Sequence, residues 1–196
     1  MVAIIDYNAG NIRSVLYALE RIGVAHELTA EPARIRSADK VIFPGVGHAG
    51  STMAHLNSTG LSDVIRSLTQ PVFGVCVGMQ LLCSHSEEGD VDCLGIFPER
   101  VRQFRPTNGD KVPHMGWNNI TLTDRNDWVS APVDGGYCYY VHSYYVEAGQ
   151  DTVATTHYCG HDFAAMMRKD NFYAAQFHPE KSAAVGERIL RDFLAV

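Results

Sequence analysis

A short apolar segment that ends at a cysteine between glycines most limits the folds open to this chain. Residues 71–75, Pro-Val-Phe-Gly-Val, are apolar and partly β-branched, which predicts a short buried strand. Cys76, Val77 and Gly78 follow directly, and the residues from Met79 onward are compatible with a helix. So tight a turn between a strand and a helix needs glycine neighbours, since nothing larger fits close to it. The segment therefore predicts a strand, a turn and a helix of an α/β protein.

Cys76 is a candidate nucleophile because of where this turn would place it. Its thiol would project over the end of the sheet and lie at a helix N-terminus. The helix dipole and the free N–H groups at such a position favour the thiolate. The segment is equally compatible with a buried cysteine at a tight turn, so other parts of the chain must decide between the two interpretations.

Composition narrows the class of protein. A chain of 196 residues is long enough for a full hydrophobic core, and we expect one domain over residues 1–196. A net charge of −6 without a basic run argues against nucleic acid or an anionic membrane as a partner. Five cysteines without a CxxC pair predict neither a disulfide framework nor a thiol-rich zinc site, and they fit a reducing cytoplasm. We see no signal-peptide pattern and no membrane-spanning stretch, and we expect no metal and no cofactor.

The first half of the chain alternates between strand and helix patterns. Short apolar runs predict strands, and a segment with apolar residues on one face, ended by Gly23, predicts a helix; in order these are 2–5, 12–22, 26–29 and 41–43. This order predicts βαβ units and a parallel sheet. Ligands bind beyond the carboxyl ends of parallel strands, so we expect the loops at 6–11 and 44–47 and the Cys76 turn to meet at one edge.

The second half of the chain changes character. Successive β-rich runs are found at 101–104, 118–122, 138–146, 153–158, 163–168 and 172–177. Turns such as the one at 159–162 join them, which indicates hairpins. A helix is predicted over about residues 183–194. The fold class is therefore α/β, with a largely parallel sheet flanked by helices and additional antiparallel strands.

His178 is the candidate base for a cysteine nucleophile. It ends a β-rich run and precedes Pro179, which biases it toward extended backbone. Residues two apart in an extended segment point the same way, so Glu180 can stand beside His178 and orient its ring. With Cys76, this would give a triad of nucleophile, base and carboxylate. A capping histidine before a proline turn is the alternative interpretation.

Backbone N–H groups could stabilise an oxyanion next to the thiol. One candidate is the N–H of Val77, directly after the nucleophile. The other is the N–H of Val46, whose peptide can rotate because Gly45 and Gly47 flank it. A plain turn between a strand and a helix remains the alternative for this Pro-Gly-Val-Gly loop.

Three motifs in combination resemble the class I (triad) glutamine amidotransferases. They are Gly-Val-Cys-Val-Gly-Met-Gln at 74–80, Pro-Gly-Val-Gly at 44–47 and His-Pro-Glu at 178–180. The resemblance implies one amidotransferase domain with a flavodoxin-like sheet. It also implies that Cys76 attacks the side-chain amide of glutamine, that His178 transfers protons and that Glu180 orients His178. The N–H groups of Val46 and Val77 would form the oxyanion hole.

Further motifs resemble one group within this family, the glutaminase subunits that deliver ammonia to a cyclase in histidine biosynthesis. These motifs are Asp6-Tyr7 with Gly10-Asn11, Pro113-His114-Met115-Gly116-Trp117-Asn118, Tyr140-Val141-His142-Ser143-Tyr144 and His178-Pro179-Glu180-Lys181-Ser182. The likeness runs from end to end. It departs at Asn8, where glycine is commoner, and at Val77, where leucine is commoner; Val77 would act through its backbone alone.

The same resemblance implies the substrate site and the partner. Residues expected to hold glutamine are Gly45, Gly47, Gln80, Glu88, Ser143 and Tyr144, with Glu88 suited to the α-ammonium group. The partner would be a (β/α)8-barrel cyclase subunit in a heterodimer, facing Trp117, Tyr139 and Lys181. Ordinary core aromatics and a solvated lysine are the alternative for those three residues.

Two other functions remain open at the level of the sequence. One is a different enzyme on the same scaffold, either a cysteine hydrolase or the glutaminase subunit of another synthase. The other is a catalytically silent binding subunit.

Overall fold

The computed structural model describes residues 1–7, 10, 12–106 and 109–196. The sequence departure at Asn8, and the part of the motif that falls on Asn11, lie outside these residues.

The described residues form short strands and helices in alternation. The strands are β1 (Val2–Ile5), β2 (His26–Thr29), β3 (Lys40–Phe43), β4 (Val72–Val75), β5 (His85–Ser86), β6 (Val91–Asp92), β7 (Arg100–Gln103), β8 (His114–Asn119), β9 (Thr121–Leu122), β10 (Tyr137–His142), β11 (Tyr144–Val146), β12 (Thr152–Tyr158), β13 (His161–Lys169) and β14 (Phe172–Ala175). The α-helices are α1 (Ile12–Ile22), α2 (Pro32–Ser37), α3 (Ala49–Thr59), α4 (Leu61–Arg66), α5 (Val77–Leu82) and α6 (Ala183–Ala195). Short 3-10 helices span Ala131–Val133 and Pro179–Lys181.

The main sheet has eight strands among the described residues, in the order β2-β1-β3-β4-β14-β13-β12-β9. Strands β2, β1, β3, β4 and β14 are parallel neighbours. Strands β13, β12 and β9 extend the sheet with antiparallel pairs. The prediction of a largely parallel α/β sheet with additional antiparallel strands is therefore confirmed.

Two smaller sheets lie beside the main one. Strands β8 and β10 form a two-stranded antiparallel ribbon, and β11, β7, β5 and β6 form a four-stranded sheet. The run 138–146 is therefore two strands separated at Ser143, because β10 pairs with β8 and β11 pairs with β7. The run 118–122 is likewise interrupted at Ile120, which is buried and donates its N–H to the Gly136 carbonyl.

The structure also corrects one helix boundary near the cysteine. Helix α5 begins at Val77, two residues before the expected start at Met79. Its first turn is closed by a 3.2 Å hydrogen bond from the Gln80 N–H to the Cys76 carbonyl. Cys76 is therefore the N-cap residue of this helix, which places the thiol closer to the helix N-terminus than the sequence pattern indicated.

Packing on both faces of β4 fixes the centre of the sheet. Phe73 stacks on Phe193 of α6, with ring centroids 5.0 Å apart. On the opposite face, a Cβ atom at Gly74 would lie 2.7 Å from Leu82 of α5. Helices therefore cover both faces of β4.

Among the described residues, no helix is both long enough and apolar enough to cross a bilayer.

We expect replacement of Phe193 by alanine to destabilise the fold. The ring is fully buried and stacks on Phe73, and truncating such a side chain costs about 3–5 kcal/mol of unfolding free energy. Urea denaturation would measure the loss. Tyr17→Ala is the control, since Tyr17 is 61% exposed and should change stability by less than about 0.5 kcal/mol. Equal losses in the two variants would contradict this account of the core.

Candidate active site

Cys76 lies on a strained turn at the end of β4. Its φ is 54° and its ψ is −112°, a conformation that costs a residue other than glycine about 1–3 kcal/mol. The Cys76 N–H donates to the Ala175 carbonyl at 2.8 Å, which attaches the turn to β14. A Cβ atom at Gly78 would lie 2.1 Å from the Phe43 carbonyl oxygen, so only glycine fits there. The expected tight turn between a strand and a helix is present.

His178 and Glu180 lie side by side next to this turn. His178 Nδ1 is 2.9 Å from Glu180 Oε1, and both side chains are buried. The geometric reason differs from the one expected, because Glu180 lies in the 3-10 turn Pro179–Lys181 and not in an extended segment. His178 and Cys76 both line one cavity beside this turn. The structure thus brings the three predicted residues together.

The charge state of His178 follows from these neighbours. Burial alone lowers the pKa of the imidazole, but hydrogen bonds and charges from Cys76 and Glu180 outweigh it and raise the pKa to about 10. Since Nδ1 faces Glu180, the Nε2 atom is available to the sulfur. The arrangement therefore places a protonated His178 between the Cys76 side chain and the Glu180 side chain.

The two expected oxyanion donors lie on loops that contact each other, but one of them already donates to a backbone carbonyl. The Val77 N–H donates to the Gly45 carbonyl at 3.3 Å. That carbonyl belongs to the same planar peptide as the Val46 N–H, which therefore points the opposite way. A Cβ atom at Gly45 would lie 2.3 Å from the Gly78 nitrogen, so the two loops are in close contact. Gly47 has a φ of 128°, which favours glycine.

A cavity of about 480 Å³ opens next to the Cys76 sulfur. Its lining includes five of the six residues expected to hold substrate, namely Gly47, Gln80, Glu88, Ser143 and Tyr144. Gly45 is the exception, since it lies behind the cavity against Gly78. Glu88 is held in place at the start of α3, where its Oε2 accepts the Ala49 N–H at 2.7 Å. The cavity is within the usual range for a small-molecule site, about 300–1,000 Å³.

Sequence reasoning missed Gln176, which is fully buried beside the cavity. Gln80 Nε2 donates to the Gln176 Oε1 and to the Tyr144 carbonyl, each at 2.9 Å. Gln176 Nε2 in turn lies 3.8 Å from the Cys76 sulfur. A signal was available, because Gln176 lies two residues before His178 in a β-rich run, and residues two apart share a face.

A buried histidine pair, of which His142 lines the cavity, was also missed. His114 Nδ1 is 2.9 Å from His142 Nε2, and His142 Nδ1 is 2.7 Å from the Tyr144 carbonyl. Burial lowers the pKa of His114 to about 4. Burial is also the main cause that lowers the pKa of His142 to about 3. Both rings are therefore neutral near pH 7, and His142 donates to Tyr144 while accepting from His114.

The residues expected at a partner face lie on or near the β8–β10 ribbon. Trp117 is 53% exposed and pairs across the ribbon with Tyr139, with ring centroids 5.9 Å apart. Lys181 is exposed at the cavity mouth. The alternative of a core aromatic is wrong for Trp117. Met115 and Tyr137, which the sequence analysis did not single out for this face, are also exposed on the ribbon, at 63% and 60%.

No group of three or more His, Cys, Asp or Glu side chains in the described part of the chain is arranged to hold a metal ion.

We expect the histidine pair to make the fold sensitive to acid. In the unfolded chain each imidazole titrates near about 6.5, whereas His114 and His142 bind a proton in the folded chain only near 4 and 3. The unfolded state therefore binds more protons, and stability falls as the pH is lowered through this window. The loss between about pH 7 and about pH 5 should be about 2 kcal/mol per histidine.

His114→Gln tests this expectation, since it keeps an amide donor for His142 but cannot titrate. Urea denaturation at several pH values should give a pH-dependent loss smaller by about 2 kcal/mol than in the unchanged chain. Leu28→Ala serves as the control, because Leu28 is exposed and has no titratable group, so the pH dependence should stay as it was. An unchanged slope in His114→Gln would argue against a neutral pair.

Comparison with known proteins agrees with this geometry. The family model "Glutamine amidotransferase class-I" matches residues 3–196. The chain is 57% identical to "Imidazole glycerol phosphate synthase subunit HisH" of Bacteroides thetaiotaomicron, over 98% of both chains. It is 46% identical to the protein of the same name from Idiomarina loihiensis, over 98% of this chain and 96% of that protein.

Solved structures share the fold at low sequence identity. A "glutamine amidotransferase" superposes with a TM-score of 0.76 at 17% identity, covering 100% of this chain and 98% of that one. A glutamine amidotransferase from Thermotoga maritima gives a TM-score of 0.65 at 16% identity, covering 99% of this chain and 82% of that one. These likenesses concern the fold alone. The match over residues 3–196 and the full-length relatives together establish that this chain belongs to the class-I glutamine amidotransferase family, among the HisH subunits of imidazole glycerol phosphate synthase.

Proposed function

We propose that this chain hydrolyses L-glutamine to L-glutamate and ammonia as the glutaminase subunit of an imidazole glycerol phosphate synthase in histidine biosynthesis. The observation that carries the proposal is the buried row of Cys76, His178 and Glu180 at the mouth of a cavity of suitable size. Relatives at 43–57% identity bear the name of that synthase subunit, which weighs against the glutaminase of another synthase or an unrelated cysteine hydrolase.

The first half-reaction forms a thioester. The Cys76 thiolate attacks the carbonyl carbon of the glutamine side chain, and the carbonyl oxygen becomes an oxyanion. His178, which is protonated at the start, gives a proton to the amide nitrogen as the C–N bond breaks, and ammonia leaves. The raised pKa of His178 supports this starting state.

The second half-reaction releases glutamate. Neutral His178 takes a proton from water, which attacks the thioester carbonyl, and the C–S bond breaks to restore the thiolate. Glu180 holds His178 Nδ1 throughout and stabilises the imidazolium each time it forms.

Oxyanion stabilisation requires a change at the Gly45–Val46 peptide. The Val77 N–H, one proposed donor, is already bonded to the Gly45 carbonyl. The Val46 N–H, the other proposed donor, points the opposite way from that carbonyl. Rotation of this peptide would free the Val77 N–H and bring the Val46 N–H toward the oxyanion. We therefore propose that the arrangement seen here is a resting state, in which glutamine is hydrolysed slowly.

Substrate binding uses the cavity lining. The Glu88 carboxylate would bind the α-ammonium group of glutamine, since it is the acidic side chain among the lining residues. Gln80 and the segment Ser143–Tyr144 would hold the rest of the molecule, next to Gly47. Gly45 would act through its peptide and not through direct contact.

The partner is proposed to be a (β/α)8-barrel cyclase subunit, bound in a cytoplasmic heterodimer against the outward face of the β8–β10 ribbon. Exposed aromatic residues such as Trp117 are typical of interface hot spots. Lys181 supports this location, because it is exposed and also lines the cavity from which ammonia would leave. The cyclase would use the ammonia to make imidazole glycerol phosphate and aminoimidazole carboxamide ribotide.

The proposed relay predicts a ranking of two variants. His178→Ala should lower glutamine turnover by about 10²–10⁴-fold, since both half-reactions need its proton transfers. Glu180→Gln should cost less, because an amide can still orient the ring. Glutamate release in the presence of the cyclase is the measurement, with His157→Ala as a control of unchanged activity. A larger loss in Glu180→Gln than in His178→Ala would reverse the assigned roles.

The proposed resting state predicts that turnover depends on the partner. Glutamate release by the isolated chain should rise by about 10²–10³-fold or more when the cyclase and its nucleotide ligand are added together, since one oxyanion donor alone is usually worth that factor. Trp117→Ala should weaken cyclase binding by roughly 30-fold or more, as loss of a hot-spot residue does.

Leu28→Ala is the matched control for binding, since Leu28 is an exposed apolar residue on β2 at the far edge of the main sheet. Full activity of the isolated chain would refute the resting state but leave the triad untouched. Unchanged cyclase binding in Trp117→Ala would refute the assigned face.

A further inference from the structure

We propose that Gln176 is a further catalytic residue of this site, a hydrogen-bond donor that stabilises the Cys76 thiolate. The inference rests on the proposed function in that it takes Cys76 as the nucleophile. Gln176 is fully buried, and its Nε2 lies 3.8 Å from the Cys76 sulfur. Its backbone N–H donates to the Ala165 carbonyl at 2.9 Å, so β13 holds the residue in place.

The orientation of the Gln176 amide follows from its neighbours. The Tyr144 carbonyl can only accept, so the atom of Gln80 that lies 2.9 Å from it must be the nitrogen. The same nitrogen lies 2.9 Å from the Gln176 amide, where a second nitrogen would set two donors against each other. The oxygen of Gln176 therefore faces Gln80, and its N–H faces the sulfur.

Some groups around the Cys76 sulfur favour its protonated S–H form, and others favour the thiolate. The Val141 carbonyl, 3.9 Å away, can only accept and so favours the S–H form. His178 and the N-terminus of α5 favour the thiolate. Burial raises the pKa of Tyr7, whose hydroxyl donates to the Pro44 carbonyl, so Tyr7 stays neutral and its proton is directed away.

Glu180 acts on the sulfur through His178, and Glu88, Lys181 and the titratable His142 line the same cavity as Cys76. Gln176 adds a neutral donor to the sulfur in addition to His178. The same donor would assist the second half-reaction, in which the thiolate is the leaving group. Hydrogen bonds to a charged group are among the stronger ones in proteins.

Two variants at this position test the proposal. Gln176→Met removes the donor at similar volume. Gln176→Glu keeps an oxygen for Gln80 but turns a carboxyl group toward the sulfur. Because a carboxylic acid loses its proton more readily than a thiol does, the resulting carboxylate repels the thiolate and disfavours it. The measurement is the pH dependence of Cys76 alkylation by iodoacetamide, mapped by mass spectrometry on the full chain. This reaction does not use glutamine, so a displaced substrate cannot affect it.

In both variants we expect the pH midpoint of alkylation to rise by about one to two units, and kcat/KM for glutamine to fall roughly 10- to 100-fold. Thr156→Val is the matched control, because its hydroxyl is also buried in the sheet but contacts Tyr140 and the Asn119 carbonyl. It should lower thermal stability without moving the alkylation midpoint.

The outcomes distinguish failure of the role assigned to Gln176 from failure of the proposed function. An alkylation midpoint that stays unchanged in folded Gln176→Met and Gln176→Glu would overturn the role of Gln176, even if both variants lose stability. If the unchanged chain instead shows no preferential labelling of Cys76 over the buried Cys83, the nucleophile itself is wrong and the proposed function fails.

Discussion

Parallel pairing between β14 and β4 is the interaction on which the candidate site depends. Ala175 is in register with Val75, so the residues that follow the two strands emerge at the same edge of the sheet. The 2.8 Å hydrogen bond from the Cys76 N–H to the Ala175 carbonyl fixes this alignment. A shift of one residue would turn His178 to the opposite face, because side chains alternate along a strand. Cys76 and His178 are thus positioned by backbone hydrogen bonds.

Close contact between glycine backbones places the Gly45–Val46 peptide against the start of α5. The loop after β3 and the start of α5 approach so closely that neither Gly45 nor Gly78 has room for a Cβ atom. The helix N-terminus is therefore fixed, while the Gly45–Val46 peptide lies directly against it. In the proposed resting state, rotation of this one peptide would change which groups face the substrate without movement of the strands.

Much of this arrangement was predictable because it is encoded locally. The strands of the first half, α1 and the cysteine turn each have a short sequence pattern, and the His-Pro-Glu motif is contiguous. The pairing of His178 with Glu180 was predicted from extended geometry, although a 3-10 turn produces it. Gln176 and the pair of His114 and His142 were missed, since their contacts depend on which distant strands become neighbours. The same reason explains why one continuous β-rich run proved to be two strands in different sheets.

The positive φ of Cys76 has a consequence for how this protein can evolve. Glycine would adopt that conformation without strain, but it would lack the thiol. Under the proposed function, selection for an unstrained turn and selection for catalysis act in opposite directions at this position. Descendants that lost the proposed reaction would be free to relax this turn by replacing Cys76 with glycine.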